Sequence, residues 1–385
     1  MKILHLIWDD LNNPWVGGGG AVRTYEINRR LAQKHEITVI TGNFPNARSE
    51  EREGVKYLHA GIGRTHFLSL ITYSFSVPFY IRKLDFDIVV EDFCSYSPVF
   101  APLFSEKPVI ALVQNLFGRK AIRRHRLLGF LSYLFEELGL HLYEHFIVIS
   151  PSMEKKLKNK FGMDSNILFL ANAPDTTLFS LSPREENFIL FLGRIEVYQK
   201  GLDVLLKAFE AVTKAHPEIK LKLAGPINKK NKKKLDSIIE RRQLGNQIEF
   251  AGVVSGKEKF DILSHCLFVC MPSRYEGWPI VAIEAAACRK PVIGSNIPGL
   301  KDVVKDGETG LLVEPENPEK LSEAVIYLIE DATLRRTLGE NGRKWAKNFT
   351  WDKLALLQEK FYLEVVSEYE RKNRKNSHSK HTRYR

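Results

Sequence analysis

A short apolar run that leads through a tight turn into a helix-forming run constrains the fold of this chain more than any other feature. Residues 266–271, CLFVCM, are continuously apolar between polar neighbours, as in a strand buried on both faces. Gly277 and Pro279 then break the chain, and the run IVAIEAAA from Ile280 predicts a helix. A helix that begins at the carboxyl end of a parallel strand presents free N–H groups, and α/β sheets bind phosphates and other ligands there.

The same alternation of strand and helix extends along most of the chain. Further short apolar runs that predict strands are ILHLIW, EITVITG, VIALV, HFIVI, FILFL, IKLKLAG and QIEFAG. The chain of 385 residues is long enough for two domains. We therefore predict two doubly wound α/β domains with parallel sheets, at residues 1–172 and 188–350, joined by a linker at 173–187.

Two carboxylates, Glu276 and Glu284, flank this turn and the start of the helix. If the residues between them were all helical, a rise of about 1.5 Å per residue would separate them by roughly 12 Å. The carboxylates of glycosidases stand about 5 to 9.5 Å apart across one bond, so a hydrolase pair is disfavoured. Each glutamate is better suited to a different part of one elongated ligand, although a pair at this spacing also arises by chance.

A second loop carries cations where the predicted strand FILFL ends. Arg194 follows that strand, and Lys200 precedes the amphipathic run LDVLLKAFEAV. Two cations on one loop suit a diphosphate, arginine through its planar fork and lysine as a point charge. The alternative for each is an ordinary solvated surface cation.

Four consecutive glycines, residues 17–20, precede the first predicted helix. Such a loop lets the backbone approach a ligand closely, although a merely flexible loop is the alternative. A dinucleotide-binding fold would have a shorter loop and an acid at the end of the second strand. Here the second strand, EITVITG, ends in Thr41 and Gly42, which disfavours a nicotinamide cofactor.

Together these residues resemble the retaining glycosyltransferases of family four, which have the GT-B fold of two Rossmann-like domains facing a central cleft. The resemblance runs from the glycine loop to about Trp351 and is strongest over residues 188–315. It implies transfer of a sugar from a nucleotide-diphosphate sugar to an acceptor hydroxyl with retained configuration. It also implies a helix at about 351–370 that crosses back to the first domain.

The resemblance assigns roles to individual positions. It implies that Arg194 and Lys200 hold the donor diphosphate. It implies that Glu284 holds the nucleotide ribose, while Glu276 faces the donor sugar. The other donor-side positions are Gly18, Gly19 and Gly20 of the glycine loop, Gly225 and Val254 after two strands, and the turn residues Gly277, Trp278, Pro279 and Ile280.

The chain departs from the family pattern after the predicted strand VIALV. Many members carry a histidine there, placed beside the donor sugar, whereas this chain has Gln114 and Asn115. Either these amides bind without acid–base capacity or His125, further along, reaches the site. Without a protein base, the leaving phosphate oxygen would accept the proton of the acceptor hydroxyl on the same face.

We expect no metal and no cofactor besides the donor, whose nucleotide (UDP, GDP or ADP) the sequence leaves open. Metal-dependent transferases of another fold use an Asp-X-Asp pair, and Asp85 and Asp87 have that spacing. Both acids precede the predicted strand at 88–90, so they should lie at the end of the sheet away from the ligand.

Cations are concentrated in two segments without acids. Seven of the eleven net positive charges fall in residues 371–385, which we expect to form a disordered basic tail. In residues 118–135, apolar side chains follow a basic cluster of Arg119, Lys120, Arg123, Arg124 and Arg126. This segment either lies on an anionic membrane surface or is a core-facing helix with a solvated basic end. No recognition module favours nucleic acid as a partner.

Residues 63–84 are aromatic and apolar, but Arg, His, Ser and Pro interrupt them, which disfavours a membrane span. We expect them to pack on the sheet; a greasy acceptor cleft or a membrane-dipping surface is the alternative. The four cysteines lack zinc spacing and the apolar N-terminal run is too short for a signal peptide, so we expect a cytoplasmic enzyme, either free or peripheral on the cytoplasmic face of the membrane. The rival functions are a nucleotide-sugar epimerase or hydrolase and a non-catalytic sugar- or lipid-binding relative.

Overall fold

A computed structural model describes residues 1–119, 122, 126–162 and 166–382 of the chain. It divides the chain into two compact units. The first unit comprises residues 1–171 together with 351–385, and the second comprises residues 172–350. Both are layered α/β structures, which confirms the predicted fold class of two parallel-sheet domains.

The sheet of the first unit has eight strands in the order β3-β4-β2-β1-β5-β6-β7-β8. All neighbouring strands are parallel except β3, which pairs antiparallel with β4. The strands are β1 (Lys2–Leu6), β2 (Glu36–Gly42), β3 (Glu50–Arg52), β4 (Val55–Ala60), β5 (Ile88–Asp92), β6 (Val109–Val113), β7 (His145–Val148) and β8 (Ile167–Phe169). The strand order reverses direction between β1 and β5, which is where sheets of this type bind ligands.

Helices cover both faces of this sheet. They are α1 (Gly19–Leu31), α2 (His66–Lys83), α3 (Arg126–Gly139), α4 (Pro151–Phe161) and the C-terminal helix (Trp351–Thr382), with short 3-10 turns at Ala101–Leu103 and Leu140–Leu142. No helix among the described residues is long and apolar enough to cross a bilayer.

The C-terminal helix packs against α1 through polar contacts. His35 lies 2.9 Å from Glu359, and the buried Arg23 donates to Gln358 at 2.9 Å. The helix continues past Glu370 to Thr382, so the prediction of a disordered tail is wrong for residues 371–382. Lys372 explains part of the difference, because it pairs with Glu368 one turn earlier at 3.1 Å and with Glu144 at 3.3 Å. Arg383 and Arg385 lie outside the described residues.

The sheet of the second unit has six parallel strands in the order β11-β10-β9-β12-β13-β14. The strands are β9 (Phe188–Leu192), β10 (Lys220–Ala224), β11 (Ile248–Gly252), β12 (Val269–Met271), β13 (Val292–Ser295) and β14 (Gly310–Val313). The predicted strand at 266–271 is regular over Val269–Met271, and Leu267 and Phe268 before it already bond to β9 through the Phe188 carbonyl at 2.9 Å and the Leu190 N–H at 3.1 Å, whereas Cys266 ends the preceding helix.

The helices of the second unit enclose this sheet. They are α5 (Leu202–Ala215), α6 (Lys229–Arg241), α7 (Gly256–His265), α8 (Ile280–Ala287), α9 (Leu300–Val303), α10 (Pro318–Glu330) and α11 (Ala332–Ala346), with a 3-10 turn at Thr176–Ser180. The core combines buried residues of β9 and β10 with the apolar face of α5, including Phe191, Leu205 and Leu223. This packing holds the carboxyl ends of the strands, and the loops that follow them, at one edge.

Candidate functional site

Glycines end neighbouring strands of the second unit and bring their loops close together. Gly193 after β9 and Gly225 after β10 have φ of +142° and +136°. A Cβ at Gly225 would lie 2.0 Å from the carbonyl oxygen of Gly193, so no side chain fits there. The predicted site residue Gly225 therefore has a backbone role at this edge of the sheet.

Lys200 and Glu276 lie on different loops and meet at this edge. Nζ of Lys200 lies 2.7 Å from Oε1 of Glu276, and the Ser273 hydroxyl donates to the same oxygen at 2.7 Å. Gly201 makes the approach possible, because a Cβ there would lie 1.9 Å from the carbonyl oxygen of Pro272. Its φ of +66° also starts α5 directly after Lys200. The structure thus joins a residue expected at the diphosphate to one expected at the sugar.

Arg274, which sequence reasoning missed, ties the same two loops together. Its guanidinium donates to both carboxylate oxygens of Asp203 at 2.8 Å and to the Tyr198 carbonyl at 2.6 Å. It also pairs with Glu316. The Asp203 carboxylate holds the pKa of Arg274 above its usual value, so this clamp stays charged. The sequence signal that could have identified Arg274 was its position two residues before the predicted site residue Glu276.

Arg194, by contrast, is exposed after β9. It makes no hydrogen bond or ion pair with any residue that the structure describes. The Arg194 guanidinium therefore faces solvent and does not join the ion pair of Lys200 and Glu276.

Glu284 lies in α8, almost fully buried at 4 % exposure. Its Oε1 accepts a hydrogen bond from Lys259 at 2.6 Å, whereas Oε2 has no partner among the described residues. Burial raises the pKa of Glu284, and the nearby Lys259 opposes that shift. A buried carboxylate oxygen without a partner is costly unless a ligand hydroxyl or water satisfies it. Lys259 was missed because a lysine within a helix carries no sequence signal.

The turn before α8 packs tightly. Gly299, with φ of +87°, approaches so closely that a Cβ would lie 2.6 Å from the carbonyl oxygen of Gly277. The Trp278 indole is buried and donates to the Asn172 carbonyl at 3.0 Å. Pro279 caps α8, which begins at Ile280, and the first N–H groups of a helix have no partner within it. The side chain of Trp278 is structural, so only the backbone here is available to an anion.

Val254 is half-buried beyond β11, where it helps to line an open groove beside α7. Phe188, at the start of β9, lines the same groove. The side chain of Val254 thus lies in a groove that extends along the sheet. Its main-chain atoms are the part of the residue that could contact a ligand at the carboxyl edge.

The glycine loop of the first unit already holds a carboxylate. Asp9 accepts hydrogen bonds from the backbone N–H groups of Gly17 at 3.1 Å and Gly18 at 2.8 Å. Gly19 and Gly20 form the first turn of α1, where the N–H groups lack intrahelical partners. The N–H groups of Gly17 and Gly18 are therefore occupied by Asp9, which leaves those of Gly19 and Gly20 as the donors of this loop's helix start that lack a partner among the described residues.

Gln114 follows β6 and donates from Nε2 to Asp92, the last residue of the neighbouring strand β5. A Cβ at Gly20 would lie 2.8 Å from that nitrogen, so the amide is packed against the glycine loop. Burial raises the pKa of Asp92 to about 7, while Gln114 and the Arg23 charge oppose the shift. Sequence reasoning missed Asp92, although an acid at the end of a strand was a usable signal. Asn115 is exposed, and His125 lies outside the described residues.

Asp85 and Asp87 lie before β5, at the opposite end of the strand from Asp92. Asp85 pairs with Nζ of Lys2 at 2.7 Å, and Asp87 accepts from the backbone N–H of Lys2 at 2.7 Å. Both carboxylates therefore bind Lys2, the first residue of β1.

Comparisons with known proteins agree with this arrangement. The sequence model described as Glycosyl transferases group 1 matches residues 177–345, and the one described as Glycosyltransferase Family 4 matches residues 17–178. An uncharacterized glycosyltransferase of Methanocaldococcus jannaschii is 39 % identical over 222 residues, 56 % of this chain and 57 % of that protein. The capsular polysaccharide biosynthesis glycosyltransferase CapM of Staphylococcus aureus is 28 % identical over 69 % of this chain and 73 % of its own. The chain thus spans little more than half the length of the archaeal relative.

Solved structures share the fold over nearly the whole chain. Sucrose-phosphate synthase from Thermosynechococcus elongatus superposes with a TM-score of 0.82 at 22 % identity, covering 96 % of this chain and 100 % of that one. Anabaena HepE in complex with UDP-glucose gives a TM-score of 0.73 at 16 % identity, covering 96 % and 100 %. The solved structures share the GT-B fold with this chain, and the two sequence models, which together run from the glycine loop to α11, show that it belongs to the glycosyltransferases of family 4.

Proposed function

We propose that this chain is a retaining, metal-independent glycosyltransferase that moves a sugar from a nucleotide-diphosphate sugar to an acceptor hydroxyl. The acceptor is a lipid-linked or cell-surface glycan precursor, and the enzyme acts in the cytoplasm at the inner face of the membrane. The names of CapM and of WaaG, a glycosyltransferase involved in lipopolysaccharide biosynthesis, support that acceptor class.

The observation that carries the proposal is the contact between Lys200 and Glu276 at the carboxyl edge of the second sheet. A cation and a carboxylate side by side suit the junction of a phosphate and a sugar, since one binds phosphate oxygens and the other sugar hydroxyls. Glu284, with one carboxylate oxygen unpartnered, supplies an acceptor for a ribose hydroxyl. The exposed Arg194 adds a second cation for the diphosphate.

In this mechanism the bond from the anomeric carbon to the phosphate oxygen breaks, and a bond to the acceptor oxygen forms on the same face. The acceptor's proton passes to the departing phosphate oxygen. Negative charge develops on the diphosphate, so Lys200, Arg194 and the first N–H groups of α8 stabilise the transition state electrostatically. Gln114 and Asn115 contribute hydrogen bonds at most, because an amide has no acid–base capacity near neutral pH.

Membrane association is a further part of the proposal. The exposed cations of Arg119, Arg126 and Arg371 would meet anionic headgroups, whereas Lys372 is already paired with Glu368 and Glu144. Lys120, Arg123 and Arg124 of the same basic cluster lie outside the described residues.

Thermal unfolding of the chain with UDP, GDP, ADP and their common sugar derivatives, with and without magnesium, tests the proposal. Stabilisation by one nucleotide diphosphate in the absence of metal is the expected result, because ligand binding to the folded state raises the melting temperature. No shift with any nucleotide, or a shift only with magnesium, would contradict it. Product analysis with the stabilising donor then separates transfer to an acceptor from epimerisation, hydrolysis or binding without turnover.

A further inference from the structure

Helix α3 is oriented with its apolar side outward. It buries Gly129, Ser132, Glu136 and Gly139. Its large apolar side chains face solvent instead, with exposures of 73 % for Leu127, 47 % for Leu128, 50 % for Phe130, 38 % for Leu131, 37 % for Leu134 and 63 % for Leu138. A surface helix normally has the reverse arrangement. Contiguous apolar surface of this kind marks an interaction site.

Specific contacts fix this orientation. The Glu136 carboxylate accepts the backbone N–H groups of Phe117 at 2.7 Å and of Gly118 at 3.0 Å. The hydroxyl of Ser132 lies 2.8 Å from that of Ser95. Because these polar groups of α3 are bonded on the inner side, rotating the helix to bury its leucines would break each of these bonds.

Helix α2 repeats the pattern. Its inner side buries Tyr73, Val77 and Ile81. Its outer side carries one ridge of residues four apart, with exposures of 55 % for Phe67, 39 % for Ile71, 73 % for Phe75 and 73 % for Phe79. The structure confirms that one side of this segment packs on the sheet, whereas the acceptor cleft or membrane-dipping surface that the sequence left open for residues 63–84 stays a prediction for the exposed side.

The two helices cover the same face of the sheet. The β4-to-β5 and β6-to-β7 connections run in the same direction along the strand order, and right-handed crossovers then place α2 and α3 on one side. The segment between them contacts both helices, because Phe100 packs on Phe135 at 5.7 Å and Arg82 stacks on Phe104 at 5.6 Å. Leu103, in the same segment, is 60 % exposed. We call the exposed apolar residues of α2, α3 and Leu103 the apolar face.

The charges at the ends of α2 and before α3 are mostly positive, although the partly buried Glu137 lies within α3 beside Leu138 and the exposed Glu106 follows Leu103 by three residues. Residues 62–84 and 116–135 contain no Asp or Glu. Arg64, Arg82, Lys83, Arg119 and Arg126 are exposed at the ends of the two helices. A second copy of the chain would bring the same cations to the contact and be repelled, whereas anionic headgroups would attract them.

We propose that the apolar face docks on an anionic lipid bilayer, with its phenylalanine and leucine side chains entering the boundary between headgroups and acyl chains. This deepens the membrane association in the proposed function, because it assigns the attachment to two helices of the first unit and to apolar insertion. The exposed cations at the ends of α2 and before α3, such as Arg82, Arg119 and Arg126, then steer the protein to the surface, and the apolar face holds it there.

Sedimentation of the full chain with vesicles of phosphatidylcholine, alone or mixed with phosphatidylglycerol, tests this proposal. We expect binding to the anionic vesicles that weakens but persists at about 1 M salt, where the Debye length is only about 3 Å. Purely electrostatic attachment would be lost at that salt concentration.

Paired substitutions separate the two contributions. Phe75→Ser with Phe79→Ser, or Leu134→Ser with Leu138→Ser, should lower the partition coefficient about a hundredfold or more, because each pair removes two apolar side chains from the lipid. Leu356→Ser with Leu363→Ser is the matched control, since these leucines of the C-terminal helix are 61 % and 50 % exposed, outside the apolar face. Arg119→Gln with Arg126→Gln should weaken binding chiefly at low salt.

Three outcomes would overturn the proposal. The first is that the unaltered chain does not bind anionic vesicles at low salt. The second is that the apolar-face variants bind vesicles as well as the unaltered chain does. The third is that the chain is a dimer in solution and the apolar-face variants are monomers. Vesicle binding requires no turnover, so the nucleotide experiment fails or succeeds independently. Unchanged melting of the variants without vesicles shows that they fold.

Discussion

Nζ of Lys200 lies 2.7 Å from Oε1 of Glu276, although 75 residues stand between them in the chain. The carboxylate holds the ammonium group at the edge of the sheet without a ligand. A phosphate oxygen that binds there would compete for this cation, and the released carboxylate could turn to a sugar hydroxyl. The two predicted roles are therefore coupled, and removing either residue leaves the other charge half-buried and unpaired.

Replacing Lys200 with alanine should lower turnover about 10²- to 10³-fold, the usual cost of losing one charge contact to a transition state. The measurement is kcat with the donor that the thermal-shift experiment identifies. Lys207→Ala is the control, because this exposed lysine of α5 pairs with the exposed Glu319 at 3.0 Å rather than with Glu276. Unchanged turnover in Lys200→Ala would remove Lys200 from the mechanism.

Glu284→Gln should abolish discrimination between ribose and deoxyribose in the bound nucleotide. The charged oxygen that lacks a partner is the expected acceptor for a ribose hydroxyl, and such a bond contributes on the order of 1–3 kcal/mol. Calorimetry measures the affinities of a ribonucleoside diphosphate and of its dideoxy analogue for the unaltered chain and for Glu284→Gln. The four affinities give the coupling energy between Glu284 and the ribose hydroxyls. If the two proteins discriminate equally, Glu284 does not contact the ribose.

Asp92→Asn should change how stability depends on pH. Burial raises the pKa of Asp92 to about 7 from an ordinary value of 3.8. Between these values the folded chain retains a proton that the unfolded chain has released, so the carboxyl group destabilises the fold as pH rises towards about 7.

The stability of Asp92→Asn relative to the unaltered chain should therefore increase from pH 5 to pH 8 by on the order of 2 kcal/mol. Urea unfolding at both pH values measures this difference. Asp85→Asn is the control, because this carboxylate is exposed at the other end of the same strand. A pH-independent difference would show that Asp92 ionises normally.

Gly225→Ala should destabilise the second unit strongly, by about 3 kcal/mol or more, since both the φ of +136° and the Gly193 carbonyl exclude a Cβ. Gly245→Ala is the matched control, because a Cβ there meets nothing within 4 Å. Thermal unfolding followed by circular dichroism compares the two. Equal melting temperatures would mean that the strand ends of β9 and β10 can separate at little cost.

Much of the fold could be predicted because its signals are local. Apolar runs such as FILFL and CLFVCM and the turn at Gly277 and Pro279 predicted the parallel sheets, and the family resemblance followed from the charged residues beside them, such as Lys200 and Glu276. The C-terminal helix was predicted too short, because contacts such as the one between Lys372 and Glu144 act over a distance that no local pattern reports.

The candidate site was predicted only in part. Lys200, Glu276 and Glu284 stand in recognisable patterns, and their roles stay predictions until binding is measured. Lys259, Arg274 and Asp92 were missed, because each matters through a partner on another segment: Glu284, Asp203 and Gln114 respectively.

The sequence by itself determined the order of strands and helices, the family and the chemical types at the carboxyl edge of the second sheet, since periodicity, turn residues and motif spacing are properties of neighbouring residues. Only the tertiary structure decided which charges pair and which apolar side chains stay in water. The outward leucines of α3 show why: a helix with so many apolar residues would be expected to bury them, but the bonds of Glu136 and Ser132 orient it the other way. Burial depends on what packs against each side of a helix, and that is settled by contacts between distant segments.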